Sequence, residues 1–257
     1  HDVPGLYEVF GLPEFDELYE KYERTYKIPR TKIRAQELIG ALLKERAETG
    51  RIYIMNIDHC NTHSSFKDKV YMSNLCQEIT LPTTPLDHID DTKGEIALCI
   101  LSAINLGLIR DKDELEGLCD LSVRALDEII DYQEYPIEAA RISAESRRSL
   151  GIGYIGLAHF LAKNHVKYDD KEALTLVDEI TEAFQYYLLK ASNNLAIEKG
   201  KCEYFEKTKY SDGILPIDTY KKDLDKIVKR KLSYDWKQLR KDIQEHGLRH
   251  STLSAQM

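Results

Sequence analysis

Hydrophobic positions change their period partway along the chain. In the first fifty residues they recur at helical spacing, which predicts helices over 14–26 and 31–49. The second carries a stripe of Leu38, Leu42 and Leu43, with Thr31 as N-cap and Gly50 as the stop. Arg51 to Ile57 then alternates apolar and polar residues and predicts a strand, followed by a polar loop from Asp58 to Asp68. Val70 to Leu81 reads as a second extended segment, closed by Pro82 and Pro85. Glu95 to Ile104 is a nearly continuous apolar run, suited to a strand covered on both faces. From Asp111 onward helices dominate. Asp111 caps a segment reaching about Asp131, with Leu115, Leu118, Val123, Leu126 and Ile130 near helical spacing. Further helical patterns cover 136–148, 157–164, 171–199, 216–230 and 235–246, with Pro136 and Pro216 placed where a first helical turn accepts them. Strands separated by long helical stretches predict an α/β protein whose second half is unusually helical.

Composition narrows the classes. A chain of 257 residues with 42% hydrophobic and 31% charged residues is ordinary for a globular protein and long enough to bury a real core. At roughly 150 residues per domain it makes one large domain or two small ones. Its 36 basic and 44 acidic residues leave a net charge of −8, which argues against a DNA-binding module. The locally basic stretch Lys226 to Lys231 reads as a solvated helix face. The longest apolar run, Ile96 to Ile104, falls far short of the roughly 18 residues of a membrane span. No leader is visible, and the five cysteines, Cys60, Cys76, Cys99, Cys119 and Cys202, follow no disulfide spacing. That favours reduced thiols and a cytoplasmic setting. The start at His1 and the stop at Met257 suggest a partial sequence.

Chemistry concentrates in Ser73-Asn74-Leu75-Cys76-Gln77-Glu78-Ile79. If this segment is extended, Asn74, Cys76 and Glu78 share one face while Leu75, Gln77 and Ile79 point the other way. One face would then present an amide, a thiol and a carboxylate, able to bind a hydroxyl, exchange a hydrogen atom and move a proton. An edge strand with a polar outer face satisfies the same spacing. Cys99, within Ala97-Leu98-Cys99-Ile100-Leu101, reads from spacing alone as a small buried hydrophobe.

Met72-Ser73-Asn74-Leu75-Cys76-Gln77-Glu78-Ile79 followed by Leu81-Pro82-Thr83 closely resembles the finger loop of the large (α) subunit of class I ribonucleotide reductases. The resemblance continues through Gly94–Cys99, Ser102–Gly107, Arg147–Gly153, Tyr186–Ser192, Gly213–Tyr220, Gly247–Arg249 and Ser251–Ser254. It thus covers essentially the whole chain in order, and is nearest to the bacterial class Ia and bacteriophage forms. It implies a partial ten-stranded α/β barrel with large helical content, residues 1–257 forming part of one catalytic barrel domain with the finger loop at about 70–82. By resemblance, Cys76 matches the cysteine that becomes a thiyl radical and takes the 3′ hydrogen of the ribose. Glu78 matches the carboxylate that accepts the 3′-hydroxyl proton, Asn74 the amide that binds substrate hydroxyls, and Cys99 one of the two thiols that reduce the 2′ carbon.

The implied reaction is reduction of ribonucleoside diphosphates to the 2′-deoxy form. The implied partners are that substrate, a radical-generating β subunit that holds the metal, thioredoxin or glutaredoxin as electron source, and a second α chain. The resemblance places no cofactor or metal on this segment and puts the ATP and dNTP effector sites outside it. The partner thiol, the diphosphate-binding loop and the relay tyrosines also have no match here, so the isolated segment is expected to be inactive. Cys60, Cys119 and Cys202 read as structural. The rivals are a non-catalytic helical interaction module and a thiyl-radical reductase of another class. Two further motifs are discounted. Gly151-Ile152-Gly153-Tyr154-Ile155-Gly156 fits a dinucleotide-binding pattern, but it follows a helical stretch and reads as tight packing of a turn. Asp58-His59-Cys60-Asn61-Thr62-His63 gathers metal-type ligands without a second pair at zinc spacing.

Overall fold

The computed structural model describes residues 3–74, 76–111 and 113–254, so the expectation for Leu75 lies outside the described residues. Three helices open the chain: α1 (Glu14–Arg24), α2 (Ala35–Thr49) and α3 (Ile57–His63). Neither α1 nor α2 buries a residue. Gly50 ends α2 in the left-handed region with φ 66°, as its lack of a Cβ permits, and returns its N–H to the Arg46 carbonyl. The helix starts later than the sequence predicts. Arg34 rather than Thr31 is its N-cap, because the Arg34 carbonyl takes the first helical N–H groups, those of Glu37 and Leu38.

Strands β1 (Ile100–Asn105) and β2 (Leu150–Ile155) pair in parallel, in register from Ile100 opposite Leu150 to Asn105 opposite Ile155. The connection between them carries α4 (Asp113–Tyr132) and α5 (Glu138–Arg147). Beyond β2 follow α6 (Leu157–Lys163), α7 (Lys171–Lys199), the single turn α8 (Pro216–Thr219) and α9 (Trp236–His246). The chain then returns beside β2. Leu150 donates to the Thr252 carbonyl, Ile152 donates to the Leu253 carbonyl, and Ile152 forms a parallel bridge with Ser254. The described residues therefore form an α/β layer of two parallel strands with a third line of chain, not a closed ten-stranded barrel.

Strand alternation separates the two faces of this sheet. Leu150 and Ile152 are fully buried in one core with Leu115, Val123 and Ile130 of α4 and with Phe184, Leu188 and Leu195 of α7. Gly151 and Gly153 must then face the other way. On β1, Ile104 lies in that core and Ile100 packs against it, so Leu101 and Ala103 share the opposite face, where Leu101 is 42% exposed. One face is covered by helices; on the other, Gly151 and Gly153 carry no side chain and are themselves buried, while Leu101 is exposed.

Several predicted elements come out differently. Arg51 to Asn56 is not a strand, since no described segment supplies the neighbour that a strand needs for its backbone groups, and the predicted loop after it opens as α3. The strand predicted from Glu95 begins only at Ile100, because Glu95 is held in an antiparallel bridge to Thr84 and Ile96 donates to Ala139. The helix predicted over 216–230 stops at Thr219 and resumes only as a short 3₁₀ turn over Lys222–Lys226. Its apolar residues Leu224 and Ile227 are exposed, and Lys226 to Lys231 is mostly exposed chain rather than a helix face, with Arg230 turned in to pair with Asp178 and Glu182. Pro216 does occupy the first turn of α8, whereas Pro136 precedes the Ile137 N-cap and stays outside α5. No helix among the described residues is long and apolar enough to cross a membrane.

Candidate functional site

The segment carrying Cys76 is a bend whose limbs are pinned at both ends. The Asn61 side chain accepts the Val70 N–H at 2.8 Å and donates to the Val70 carbonyl at 2.9 Å, fixing the first limb to α3. Gln77 donates its N–H to the Asn74 carbonyl and adopts φ 62°, while the Asn74 side chain accepts the Ile79 N–H at 3.2 Å. An asparagine suits this place because its short amide imitates a backbone acceptor. The predicted extended form therefore fails. A left-handed residue at the tip breaks strand alternation, and Asn74, Cys76 and Glu78 are not stacked on one face by period two. Asn74 spends its amide oxygen on closing the bend.

Below the tip, Val70, Ile79 and Leu81 form a small core with Phe66, and Ala97 and Cys99 pack against it. The bend thus rests against the chain that enters β1. Cys76 stays exposed at the tip, while Cys99 is half-buried. Burial, reinforced by the negative charge of nearby Glu78, pushes the Cys99 thiol up to about 11. Glu78 is the other notable group. Its Oε2 atom is buried and has no hydrogen-bond partner among the described residues. It lines a cavity of about 250 Å³ together with Ser65, Phe66, Gln185, Tyr210 and Thr252. A buried ionisable oxygen without a partner, on a side chain that lines a cavity, marks a candidate functional group, since such burial is costly and seldom retained without use. The structure therefore places Glu78 near enough to Cys99 for its charge to act on the thiol, leaves both Cys76 and Cys99 off the cavity lining, and uses Asn74 to shape the bend.

The remaining cysteines behave as small hydrophobes. Cys119 and Cys202 are fully enclosed, and burial raises each thiol to about 12; Cys60 is half-exposed on α3. The His59–His63 group lies on α3, where the two imidazoles sit edge to face and His63 Nδ1 meets the Thr219 carbonyl oxygen. Among the described residues no cluster of three or more His, Cys, Asp or Glu side chains is placed to hold a metal ion. The glycine motif does follow a helix, α5, but Gly151 and Gly153 lie within β2 where a turn was expected, and Gly156 is the left-handed N-cap of α6. Its packing role holds at Gly156, where an added Cβ would run into the Asn105 side chain.

Two ionic groups escaped the sequence reading. Arg147, at the last position of α5, is 2% exposed and bonds Glu95 through Nε at 2.6 Å and Nη2 at 3.1 Å, and Asp68 through Nη2 at 2.7 Å. Next to it Arg148 has φ 47° and reaches the opposite way, to Asp127 and Asp131, each at 2.7 Å. Asp127 is wholly buried and also meets Arg249 and His250 at 3.2 Å. Burial alone would raise the Asp127 carboxyl, but hydrogen bonds from His250 and Arg148 outweigh it and hold the group well below the usual carboxylate range. The available signal was a pair of arginines between an alanine-rich helix and an apolar strand, which no solvated surface requires.

The model of the ribonucleotide reductase barrel domain matches residues 1–257. The chain is 59% identical to the ribonucleoside-diphosphate reductase subunit alpha of Haemophilus influenzae. It is 56% identical to the Escherichia coli ribonucleoside-diphosphate reductase 1 subunit alpha and 44% identical to the subunit alpha of Enterobacteria phage T4. Each alignment takes in 100% of this chain and 34% of the relative, so the chain spans about a third of the length of these proteins. This chain belongs to the ribonucleotide reductase barrel-domain family.

Proposed function

We propose that this chain is a central piece of the catalytic α subunit of a class I ribonucleoside-diphosphate reductase and carries part of its thiol chemistry. The observation that carries the reading is the placement of Glu78 beneath the bend that presents Cys76, where it lines a cavity, bears electrostatically on the Cys99 thiol and keeps one carboxylate oxygen buried without a partner among the described residues. In this reading a thiyl radical on Cys76 takes the 3′ hydrogen of the ribose, and Glu78 receives the 3′-hydroxyl proton. The 2′-hydroxyl leaves as water. Cys99 and a second thiol outside this chain supply two electrons and end as a disulfide, and Cys76 returns the hydrogen atom to the 3′ carbon. Asn74 contributes by fixing the bend and, with its amide nitrogen, by binding substrate hydroxyls.

The remaining two-thirds of a longer subunit would complete the ten-stranded barrel, cover the Cys76 tip against water and bring the diphosphate-binding loop. Radical sulfur chemistry needs such an enclosed site. The starting radical would come from a separate metal-containing β subunit, consistent with the relatives' designation as subunit alpha. Regeneration of the thiols would fall to thioredoxin or glutaredoxin, and the site of action would be the cytoplasm. The test uses a chimera in which this chain replaces the matching third of the Haemophilus influenzae subunit, assayed with that organism's β subunit. Cys76→Ser should abolish deoxynucleotide formation while nucleotide binding stays near normal. Turnover that survives the change removes the radical role of Cys76.

A further inference from the structure

We propose that Arg147 is a positioning residue for the thiol site, its guanidinium setting the stem of the Cys76 bend against the segment that carries Cys99. The inference rests on the functional reading above and adds a residue that the reading does not contain. Asp68 stands at the foot of the bend, just before Val70, and Glu95 lies on the approach to Cys99. Among the described residues the two carboxylates are joined through Arg147, which holds Glu95 with two hydrogen bonds and Asp68 with one. The Arg147 backbone carbonyl accepts the Ser251 N–H at 2.9 Å, so the third line of chain beside β2 is tied to the same residue.

The antiparallel bridge between Thr84 and Glu95 fixes the exit limb of the bend, whereas the entry limb packs against the Cys99 segment through the apolar cluster of Val70, Ile79 and Leu81, and burial of apolar surface is non-directional. A planar, forked cation bonded to both segments fixes direction as well as distance. The fork is itself held in place. The rings of Phe66 and Tyr204 lie 5.9 and 5.1 Å from the guanidinium carbon, within cation–π range. Lysine would keep the charge and lose the fork, so it cannot reproduce two bonds to Glu95 and one to Asp68. Without any cation, a buried carboxylate and a half-buried one would face each other and drive the stem away from the Cys99 segment.

The test is made in the chimeric α subunit with its β subunit. Arg147→Lys and Asp68→Asn should each lower kcat by roughly tenfold to a hundredfold, the scale of an ångström-sized misplacement of reacting groups. KM for the nucleotide should change less than about twofold. Backbone amides of 70–81 and 97–99 should exchange hydrogen roughly tenfold faster, while those of α7 keep their protection. In Arg147→Ala, guanidinium ion added below denaturing concentration should restore part of the lost turnover. Unchanged kcat and unchanged exchange in Arg147→Lys overturn the proposal. So does an equal loss of protection in α7 without guanidinium rescue, which would make Arg147 a support of the whole domain. Should the unsubstituted chimera form no deoxynucleotide, the functional reading fails, and the exchange measurement still decides whether Arg147 holds the stem.

Discussion

Cys76 and Cys99 face different demands, and their surroundings already separate them. Cys76 is exposed on the bend, whereas Cys99 is half-buried with a thiol pushed up to about 11 by burial and by Glu78. Alkylation needs the thiolate, so iodoacetamide at pH 8 should label Cys76 well before Cys99, and Cys119 and Cys202 only after unfolding, as peptide mass mapping would read out. The Glu78 charge disfavours the Cys99 thiolate, so Glu78→Gln should speed Cys99 labelling at pH 9 by a few-fold. An unchanged rate would mean that the carboxylate does not reach the thiol. Glu78→Gln should also lower turnover in the chimera by roughly a hundredfold or more, the usual scale for a lost proton acceptor. These residues could be picked out in the sequence through their resemblance to a known finger loop, not through spacing. The alternation argument that put Asn74, Cys76 and Glu78 on one face assumed an extended chain, and Gln77 at φ 62° breaks it. Arg147 was invisible because its carboxylate partners lie 52 and 79 positions away in sequence, and a charge reads as surface until its partner is known.

At the scale of elements, length decided what could be read. Helix α7 runs from Lys171 to Lys199, the span its hydrophobic period predicts, and α4 matches nearly as well, since many turns of a period-3.6 pattern outweigh local noise. Even Glu182 on the buried side of α7 fits once its partners are seen. It accepts the Trp236 indole N–H and the Ser233 N–H and pairs with Arg230. The strands were legible only in part, because six residues of β1 or β2 take their form from a neighbour remote in sequence. The failed strand at 51–56 shows the same dependence from the other side. Two substitutions probe these elements by thermal or denaturant unfolding. Leu188→Ala, at a fully buried position on α7, should cost about 2–5 kcal/mol. Gly156→Ala forces a Cβ toward the Asn105 side chain at φ 75° and should cost at least the roughly 1–2 kcal/mol of a left-handed alanine. A neutral result there would mean that the β2–α6 corner yields easily.

Over the whole molecule, the Asp127 centre joins α4, the end of α5, α7 and the returning chain through Arg148, Lys199, Arg249 and His250. His250 is enclosed, with Nδ1 2.9 Å from Ser192 Oγ and Nε2 turned to Asp127. Burial lowers its pKa below 6.5; Asp127 partly opposes that, and the charges of Arg148 and Arg249 add to it. A base whose folded pKa is depressed takes up more protons when unfolded, so stability rises with pH up to about 6.5 and falls as the solution is acidified below that. The depressed carboxyl of Asp127 acts in a lower window, its contribution lost only as pH falls from about 3.8 through the folded value. The thermal midpoint should therefore drop between pH 7 and pH 5, and His250→Gln should flatten that slope. Equal slopes in the two proteins would remove His250 as its source. The same centre gives the adjacent arginines a further meaning. Since Arg148 turns the chain left-handed, one dipeptide sends one buried fork to Asp127 and Asp131 of α4 and the other to Asp68 and Glu95 at the bend. The two ionic groups are thereby coupled through adjacent backbone units. A lesion at Asp131, far from any thiol, should be repaired by second-site changes near Asp68 or Glu95, and a suppressor screen would find its revertants at the bend rather than beside the original defect.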